Sequence, residues 1–180
     1  MADMTKTNTL VLTSLMICMI AVTTMFFKIP IPFANGYVHL GDAMVFLSVL
    51  ALGIKNGALA SAIGSALGDV MGGFAIWAPW TFCIKGVMAL IMGLFILSLS
   101  KKRDNPGLFS VSLIRACGMS LAGLWMVFGY YIAEGVIYGW MVALLGIPWN
   151  IGQFVTGMCV AVAAAAALSK TPAKKLFVFL

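Results

Sequence analysis

Residues 7–27 read TNTLVLTSLMICMIAVTTMFF and contain no charged side chain. A helix that crosses the apolar core of a bilayer takes about 20 residues, so this stretch predicts one membrane-spanning helix at about residues 9–27. The rest of the chain has the same character, since 63% of its 180 residues are hydrophobic and 9% are charged. A soluble domain carries about 25% charged residues, which excludes a water-soluble globule. We therefore predict an all-α integral membrane protein.

Turn-forming residues divide the remaining apolar sequence. Pro30, Pro32 and Gly36 mark residues 28–40 as a long, re-entrant-like loop. The segment from Gly53 to Gly57 separates two apolar runs, which we assign to two helices. In the alternative with five helices, residues 41–72 form one kinked unit. Our prediction is a single transmembrane domain, residues 1–180, with six helices at about 9–27, 41–53, 57–72, 80–100, 108–134 and 148–168.

The distribution of Lys and Arg predicts the orientation of the chain. If both termini are cytoplasmic, the outer loops contain Lys28 alone, and the inner segments contain eight basic residues: Lys6, Lys55, Lys101, Lys102, Arg103, Lys170, Lys174 and Lys175. Basic residues favour the cytoplasmic side, so we predict a multi-pass plasma-membrane protein of prokaryotic type with both termini inside. The basic residues form no dense patch, and no nucleic-acid partner is expected.

Polar and aromatic residues are concentrated at one depth of this predicted topology. An ionisable group near the bilayer centre costs about 2.5–3.5 kcal/mol, so it normally faces a cavity or a partner. We expect these residues to line a pocket that opens outward. The candidate ligand-binding residues are His39, Asp42, Asp69, Trp77, Trp80, Lys85, Tyr131, Glu134, Tyr138, Trp149, Asn150 and Gln153.

Helical spacing predicts the direction of several of these side chains. Lys85 shares one helix face with Ala89 and Gly93, so it should point into the bundle. A second ridge of small residues, Ala60, Gly64, Gly68 and Gly72, predicts close helix packing. Three simpler interpretations stay open: the tryptophans form an ordinary interfacial belt, Asp69 and Lys85 form a structural ion pair, and His39 is a hydrogen-bonding residue.

Motifs for several other classes of function are absent. The chain contains no GxxxxGK[ST], HExxH or GxSxG motif, so we predict no catalytic residue, no metal site and no cofactor. The absence of these motifs agrees best with a small ligand-binding subunit that depends on ATP hydrolysis by other proteins. The alternatives are a membrane-embedded enzyme acting on a lipid or isoprenoid through His39, Asp42 and Asp69, or a purely structural membrane subunit.

Three segments, residues 35–42 (NGYVHLGD), 64–69 (GSALGD) and 78–86 (APWTFCIKG), resemble the substrate-binding S components of energy-coupling factor (ECF) vitamin transporters. The resemblance is to the riboflavin-type branch, which includes hydroxymethylpyrimidine and pyridoxine carriers. It implies that the chain binds a vitamin at the outer face under the loop 28–40. It also implies three protein partners: a transmembrane coupling protein and two ATPase subunits, which hydrolyse the ATP.

The resemblance also bears on the partner contact and on the ligand. Family members commonly carry two alanines four residues apart on the first helix as the contact for the coupling protein, and here the corresponding small residues are Ser14, Cys18 and Ala21. The candidate pocket mixes both charge signs without an arginine suited to a carboxylate or phosphate. We therefore expect hydroxymethylpyrimidine or pyridoxine, with riboflavin or thiamine next.

Overall fold

The computed structural model describes residues 6–31, 37–100 and 108–179. Five helices in this part of the chain are long and apolar enough to cross a membrane, as expected for an all-helical membrane protein. They are α1 (Lys6–Phe26), α2 (Gly41–Met71), α3 (Ala78–Ser100), α4 (Leu108–Tyr138) and α5 (Trp140–Ser169). Two short strands, β1 (Lys28–Pro30) and β2 (Tyr37–His39), and a 3-10 helix at Pro172–Leu176 complete the architecture.

The α2 helix bends sharply at Gly53, whose backbone lies at φ 75° and ψ −168°. Its two arms, residues 41–52 and 54–71, contact each other, since the hydroxyl oxygens of Ser48 and Ser61 lie 3.1 Å apart. In a straight helix these residues would be about 20 Å apart, so the chain folds back at Gly53. Six separate helices are therefore not found. One glycine with positive φ replaces the linker predicted between residues 53 and 57.

The connection between the last two helices also differs from the prediction. The α4 helix continues to Tyr138, and α5 begins at Trp140, so Gly139 alone, at φ 92°, reverses the chain. We predicted a last helix that begins at Pro148, but Pro148 lies inside α5. A proline removes one backbone hydrogen bond, a loss that membrane helices tolerate where neighbouring groups replace it. Gly146 and Pro148, both of residue types common in turns, therefore lie within the helix.

The predicted re-entrant loop contains a β-hairpin. Strands β1 and β2 pair antiparallel, with Lys28 opposite His39. Residues 32–36, which include Pro32 and Gly36, lie outside the described residues. Lys28 Nζ donates a hydrogen bond to the carbonyl oxygen of Gly72 at 3.2 Å, and Nζ also lies 5.2 Å from the ring centre of Tyr37. The hydrogen bond to Gly72 holds the hairpin against the end of α2.

Small residues allow α1 and α2 to approach closely, as the ridge in the sequence predicts. A Cβ atom added to Gly64 would lie 2.8 Å from the carbonyl oxygen of Ile17, and one added to Gly68 would lie 2.7 Å from Cβ of Thr24.

At the Gly53 bend, the backbone N–H groups of Val178 and Phe179 donate to the carbonyls of Ala51 and Leu50. The C-terminal segment thus supplies partners for carbonyls that the bend removes from the helical pattern.

We expect Gly64→Ala to lower the free energy of unfolding by about 1–3 kcal/mol, because the new methyl group overpacks the contact with α1. Gly152→Ala is the matched control, since a Cβ atom there meets no other atom within 4 Å. Alanine favours a helix over glycine by about 1 kcal/mol, so the control should be neutral or stabilising. Thermal unfolding in detergent measures both; equal melting temperatures would contradict the close α1–α2 contact.

Candidate functional site

A cleft lies at the end of the bundle that carries the hairpin. The empty space of the cleft, including its open mouth, is about 370 Å³. This volume is within the range of small-molecule pockets. The lining residues are Ile31, Tyr37, His39, Asp69, Trp77, Thr81, Tyr130, Glu134, Asn150 and Gln153.

A fully buried ion pair lies behind this cleft. The ammonium group of Lys85 on α3 contacts Asp42 Oδ1 at the start of α2. Gln153 on α5 donates from Nε2 to Asp42 Oδ2 at 3.1 Å. Removing two charges from water is costly, and bonds to both carboxylate oxygens are what make such a pair tolerable. Lys85 points into the bundle as predicted, but its partner is Asp42 and not Asp69.

His39 connects the hairpin to this network. Its backbone N–H donates to Gln153 Oε1 at 3.0 Å, and its Nδ1 accepts the backbone N–H of Gly41 at 3.0 Å. Burial and, to a smaller extent, the nearby Lys85 lower the pKa of His39 from 6.5 to about 3, although Asp42 opposes the shift. The imidazole is therefore neutral at physiological pH, with its proton on Nε2.

Two further carboxylates line the cleft. Asp69 Oδ1 accepts the hydroxyl of Tyr37 at 2.5 Å, and Glu134 Oε1 accepts Nδ2 of Asn150 at 3.1 Å. The second oxygen of each, Asp69 Oδ2 and Glu134 Oε2, has no hydrogen-bond partner among the described residues. The Glu134 carboxylate lies directly against Gly146, where a Cβ atom would overlap it. Glycine at position 146 is therefore a requirement of this site.

Aromatic rings form another wall of the cleft. The ring centre of Trp77, in the turn before α3, lies 6.0 Å from that of Tyr130 and 5.9 Å from that of Tyr138. The Tyr130 ring also lies 5.2 Å from Nζ of Lys85, and its hydroxyl is 3.2 Å from that of Thr81. Such a wall suits the face of a flat ring.

The structure brings most of the candidate residues together. The cleft is lined by six of them, His39, Asp69, Trp77, Glu134, Asn150 and Gln153, and the Asp42–Lys85 pair lies behind it. The other four do not line it. Trp80 packs against the hydrophobic core, Tyr138 against Trp77, and Tyr131 against Trp140 with ring centres 5.6 Å apart. The role of all twelve in ligand binding stays a prediction.

Trp149, the remaining candidate, lines a second and larger cavity between the hairpin, the end of α1 and α5, with about 840 Å³ of empty space including its open mouth. His39 and Gln153 belong to both cavities and form the wall between them. The second cavity is largely apolar, with Phe27, Ile29, Val38, Leu40, Pro148, Gly152 and Thr156 as its other lining residues.

Four lining residues are not among the candidates predicted from the sequence: Ile31, Tyr37, Thr81 and Tyr130. Helical spacing contains a signal for two of them, because Thr81 precedes Lys85 by four residues and Tyr130 precedes Glu134 by four. Tyr37 lies two residues before His39, on the same face of β2.

On α1, Ser14 and Cys18 are exposed, whereas Ala21 is buried on the side that packs against α2.

Comparison with known proteins gives three similarities. The family model described as "ECF-type riboflavin transporter, S component" matches residues 4–170. A Pyrococcus woesei protein described as "Uncharacterized protein in gap 3'region" is 37% identical over 141 residues, which cover 78% of this chain and 88% of that protein. The thiamine precursor transporter HmpT of Lactococcus lactis subsp. cremoris (strain MG1363) is 26% identical over 136 residues, covering 75% of this chain and 72% of that protein.

We expect Asp42→Asn and Lys85→Met each to lower the free energy of unfolding by about 3–5 kcal/mol, because each leaves an unpaired buried charge. The double variant should lose much less than the sum of the two, since it removes both charges. Thermal unfolding of the wild type, the two single variants and the double variant measures the coupling. Additive losses would show that Lys85 and Asp42 do not depend on each other.

His39 is the only histidine in the sequence, so its protonation can be followed directly. Because its pKa is lowered to about 3, the unfolded chain binds the proton more readily between pH 6.5 and 3, and stability should fall as the pH decreases through this range. Nitrogen-15 NMR of tag-free protein should show the Nε2–H tautomer still at pH 5. A titration midpoint near 6.5 would contradict it, and His39→Gln should reduce the pH dependence of the melting temperature.

Proposed function

Because this chain belongs to the family of ECF-type riboflavin transporter S components, we propose that it captures a small heterocyclic vitamin or vitamin precursor in the cleft beside the hairpin. The family consists of substrate-binding subunits of vitamin importers, so the chain is a transporter component and not an enzyme. It is a multi-pass protein of the plasma membrane, in keeping with its five membrane-competent helices.

The observation that carries the proposal is the convergence of polar groups within an apolar bundle. The hairpin and the helices α2, α4 and α5 deliver His39, Asp69, Glu134, Asn150 and Gln153 to one cleft. Each of these side chains is more than nine-tenths buried, in a protein of which only 9% of the residues are charged. Buried polar groups of a membrane protein are costly, and a ligand that bonds to them accounts for their presence.

The favoured ligands are hydroxymethylpyrimidine and pyridoxine, with riboflavin and thiamine next. A single flat ring fits beside Trp77 and Tyr130, and no arginine lines the described cleft for a phosphate or carboxylate. The similarity to a protein named as a thiamine precursor transporter supports a small precursor over a complete vitamin.

The proposed membrane arrangement places the hairpin outside and both termini in the cytoplasm. If the two arms of α2 cross separately, the chain crosses six times and both of its ends lie on one side. The basic residues support this arrangement. Lys28 is on the hairpin, whereas the exposed lysines at the start of α1, beside the Gly53 bend and after α5 lie in the segments proposed to be cytoplasmic: Lys6, Lys55, Lys170 and Lys174.

The proposed energy source is a transmembrane coupling protein with two ATPase subunits. In this proposal the coupling protein packs against the side of α1 that faces away from α2. Ser14 and Cys18 are exposed there and are small enough for close approach of a partner helix, while Ala21, one turn further along, faces α2. Membrane lipid surrounds the remaining apolar surface.

We expect purified protein to bind one of the four candidate ligands, and Trp77→Leu to weaken this binding about tenfold or more by removing a ring contact. Trp80→Leu is the matched control, because Trp80 lies three residues further along, packed against the core outside the cleft. Isothermal titration in detergent measures the affinities, and mass spectrometry identifies any retained ligand. Failure of all four ligands to bind a folded protein would favour a purely structural subunit.

A further inference from the structure

The C-terminal segment, residues 170–179, connects the end of α5 to the bend of α2. The backbone N–H groups of Val178 and Phe179 donate hydrogen bonds to carbonyls of α2 beside the bend. A Cβ atom added to Gly53 would lie 3.5 Å from Cγ1 of Val178. Phe177 and Phe179 pack against the hydrophobic core. The segment is therefore fixed to α5 at its start and to α2 at its end.

This segment carries a group of exposed lysines. Lys170, Lys174 and Lys175 fall within six residues, and all three are exposed. Lys55, two residues beyond the glycine of the α2 bend, is exposed as well. None of these four lysines forms an ion pair with another described residue. Four positive charges thus lie at one end of the bundle without a partner charge from the described part of the chain.

The acidic side chains lie at the opposite end of the bundle. In the part of the chain that the structure describes they are Asp42, Asp69 and Glu134, which line the cleft or lie behind it. On α5, 20 residues separate Asn150 of the cleft from Lys170, which is about 30 Å along the helix axis. The hydrocarbon core of a bilayer is also about 30 Å thick. If the cleft lies at one membrane surface, the lysines therefore lie at the depth of the headgroups on the other.

We propose that the C-terminal segment and the bend of α2 bind the phosphate groups of anionic phospholipids, with phosphatidylglycerol as the probe. The site is on the membrane surface opposite the cleft, which is the cytoplasmic surface in the proposed arrangement. Four or more basic residues next to a membrane helix are typical of such binding, and each lysine near an anionic surface favours it about fivefold. Lipid is favoured over an acidic protein because the lysines directly follow a 30-residue apolar helix, at headgroup depth.

The lipids retained by the full-length protein test the proposal. After extraction from bilayer discs of phosphatidylcholine and phosphatidylglycerol, mass spectrometry should show phosphatidylglycerol enriched about fivefold or more over its share of the disc. The triple variant Lys170→Gln, Lys174→Gln, Lys175→Gln should lose most of this enrichment. The matched control, Lys170→Arg, Lys174→Arg, Lys175→Arg, keeps the charges and should keep the enrichment. Raising the salt from about 0.1 M to about 1 M should lower the enrichment in the wild type.

Thermal unfolding gives a second measurement, because a lipid that binds the folded state raises the melting temperature. A larger share of phosphatidylglycerol should stabilise the wild type and the arginine variant more than the glutamine variant. In lipid-free, uncharged detergent the three proteins should melt at the same temperature, because the substituted lysines are exposed. This comparison also shows that each variant is folded.

Three results would overturn the proposal. The first is equal enrichment in the wild type and the glutamine variant, or no enrichment in either. The second is stabilisation by millimolar inorganic phosphate equal to that by phosphatidylglycerol, which would indicate a site for free phosphate. The third is weaker assembly of the glutamine variant with the coupling protein and ATPase subunits in the absence of any lipid preference, which would assign the lysines to an acidic protein surface.

The test is independent of the proposed function. The substituted lysines are about 30 Å from the cleft along α5, so the affinity of the glutamine variant for a vitamin should equal that of the wild type. Loss of lipid enrichment with unchanged vitamin affinity is the expected result. A protein that binds no vitamin but still retains phosphatidylglycerol through these lysines would contradict the proposed function alone.

Discussion

The buried pair of Lys85 and Asp42 is the interaction on which the architecture around the cleft depends. Neither side chain is exposed, and the chain contains only five acidic residues, so this pair uses one of the few available counter-charges. Gln153 bonds to the second oxygen of Asp42 and to the backbone of His39. The cost of burying charge is thus met by a network that joins α2, α3, α5 and the hairpin in one arrangement.

This pairing also decides the chemistry of the cleft. Lys85 forms its ion pair with Asp42, and the other two buried acidic residues, Asp69 and Glu134, take hydrogen bonds from Tyr37 and Asn150. The His39 imidazole is held neutral by burial and by its bond from Gly41, so it adds no charge at physiological pH. The cleft thus combines two carboxyl groups with a neutral imidazole, and aromatic rings cover one wall.

Glycine residues provide the close approaches that bring these groups together. Gly53 and Gly139 have positive φ angles and reverse the chain within one residue, which shortens the connections at the two ends of the bundle. Gly157 lies against Asp42, where a Cβ atom would be 2.7 Å from the Cβ of the aspartate. Side chains at these positions would separate helices that the polar network needs in contact.

The sequence by itself determined that the chain is a helical membrane protein, where its small residues allow helices to pack closely, and the family to which it belongs. These properties depend on many residues at once. A membrane-spanning helix is recognised from the hydropathy of about 20 residues together, and residues four apart lie on the same face of a helix. Only the tertiary structure decided that Lys85 pairs with Asp42, that residues 41–71 form one bent element, and that Tyr130 rather than Tyr131 lines the cleft. Side chains of neighbouring residues point about 100° apart around a helix, and one glycine can reverse the chain. Which side chain lines the cleft, and which charges pair, therefore depends on how the helices pack against each other.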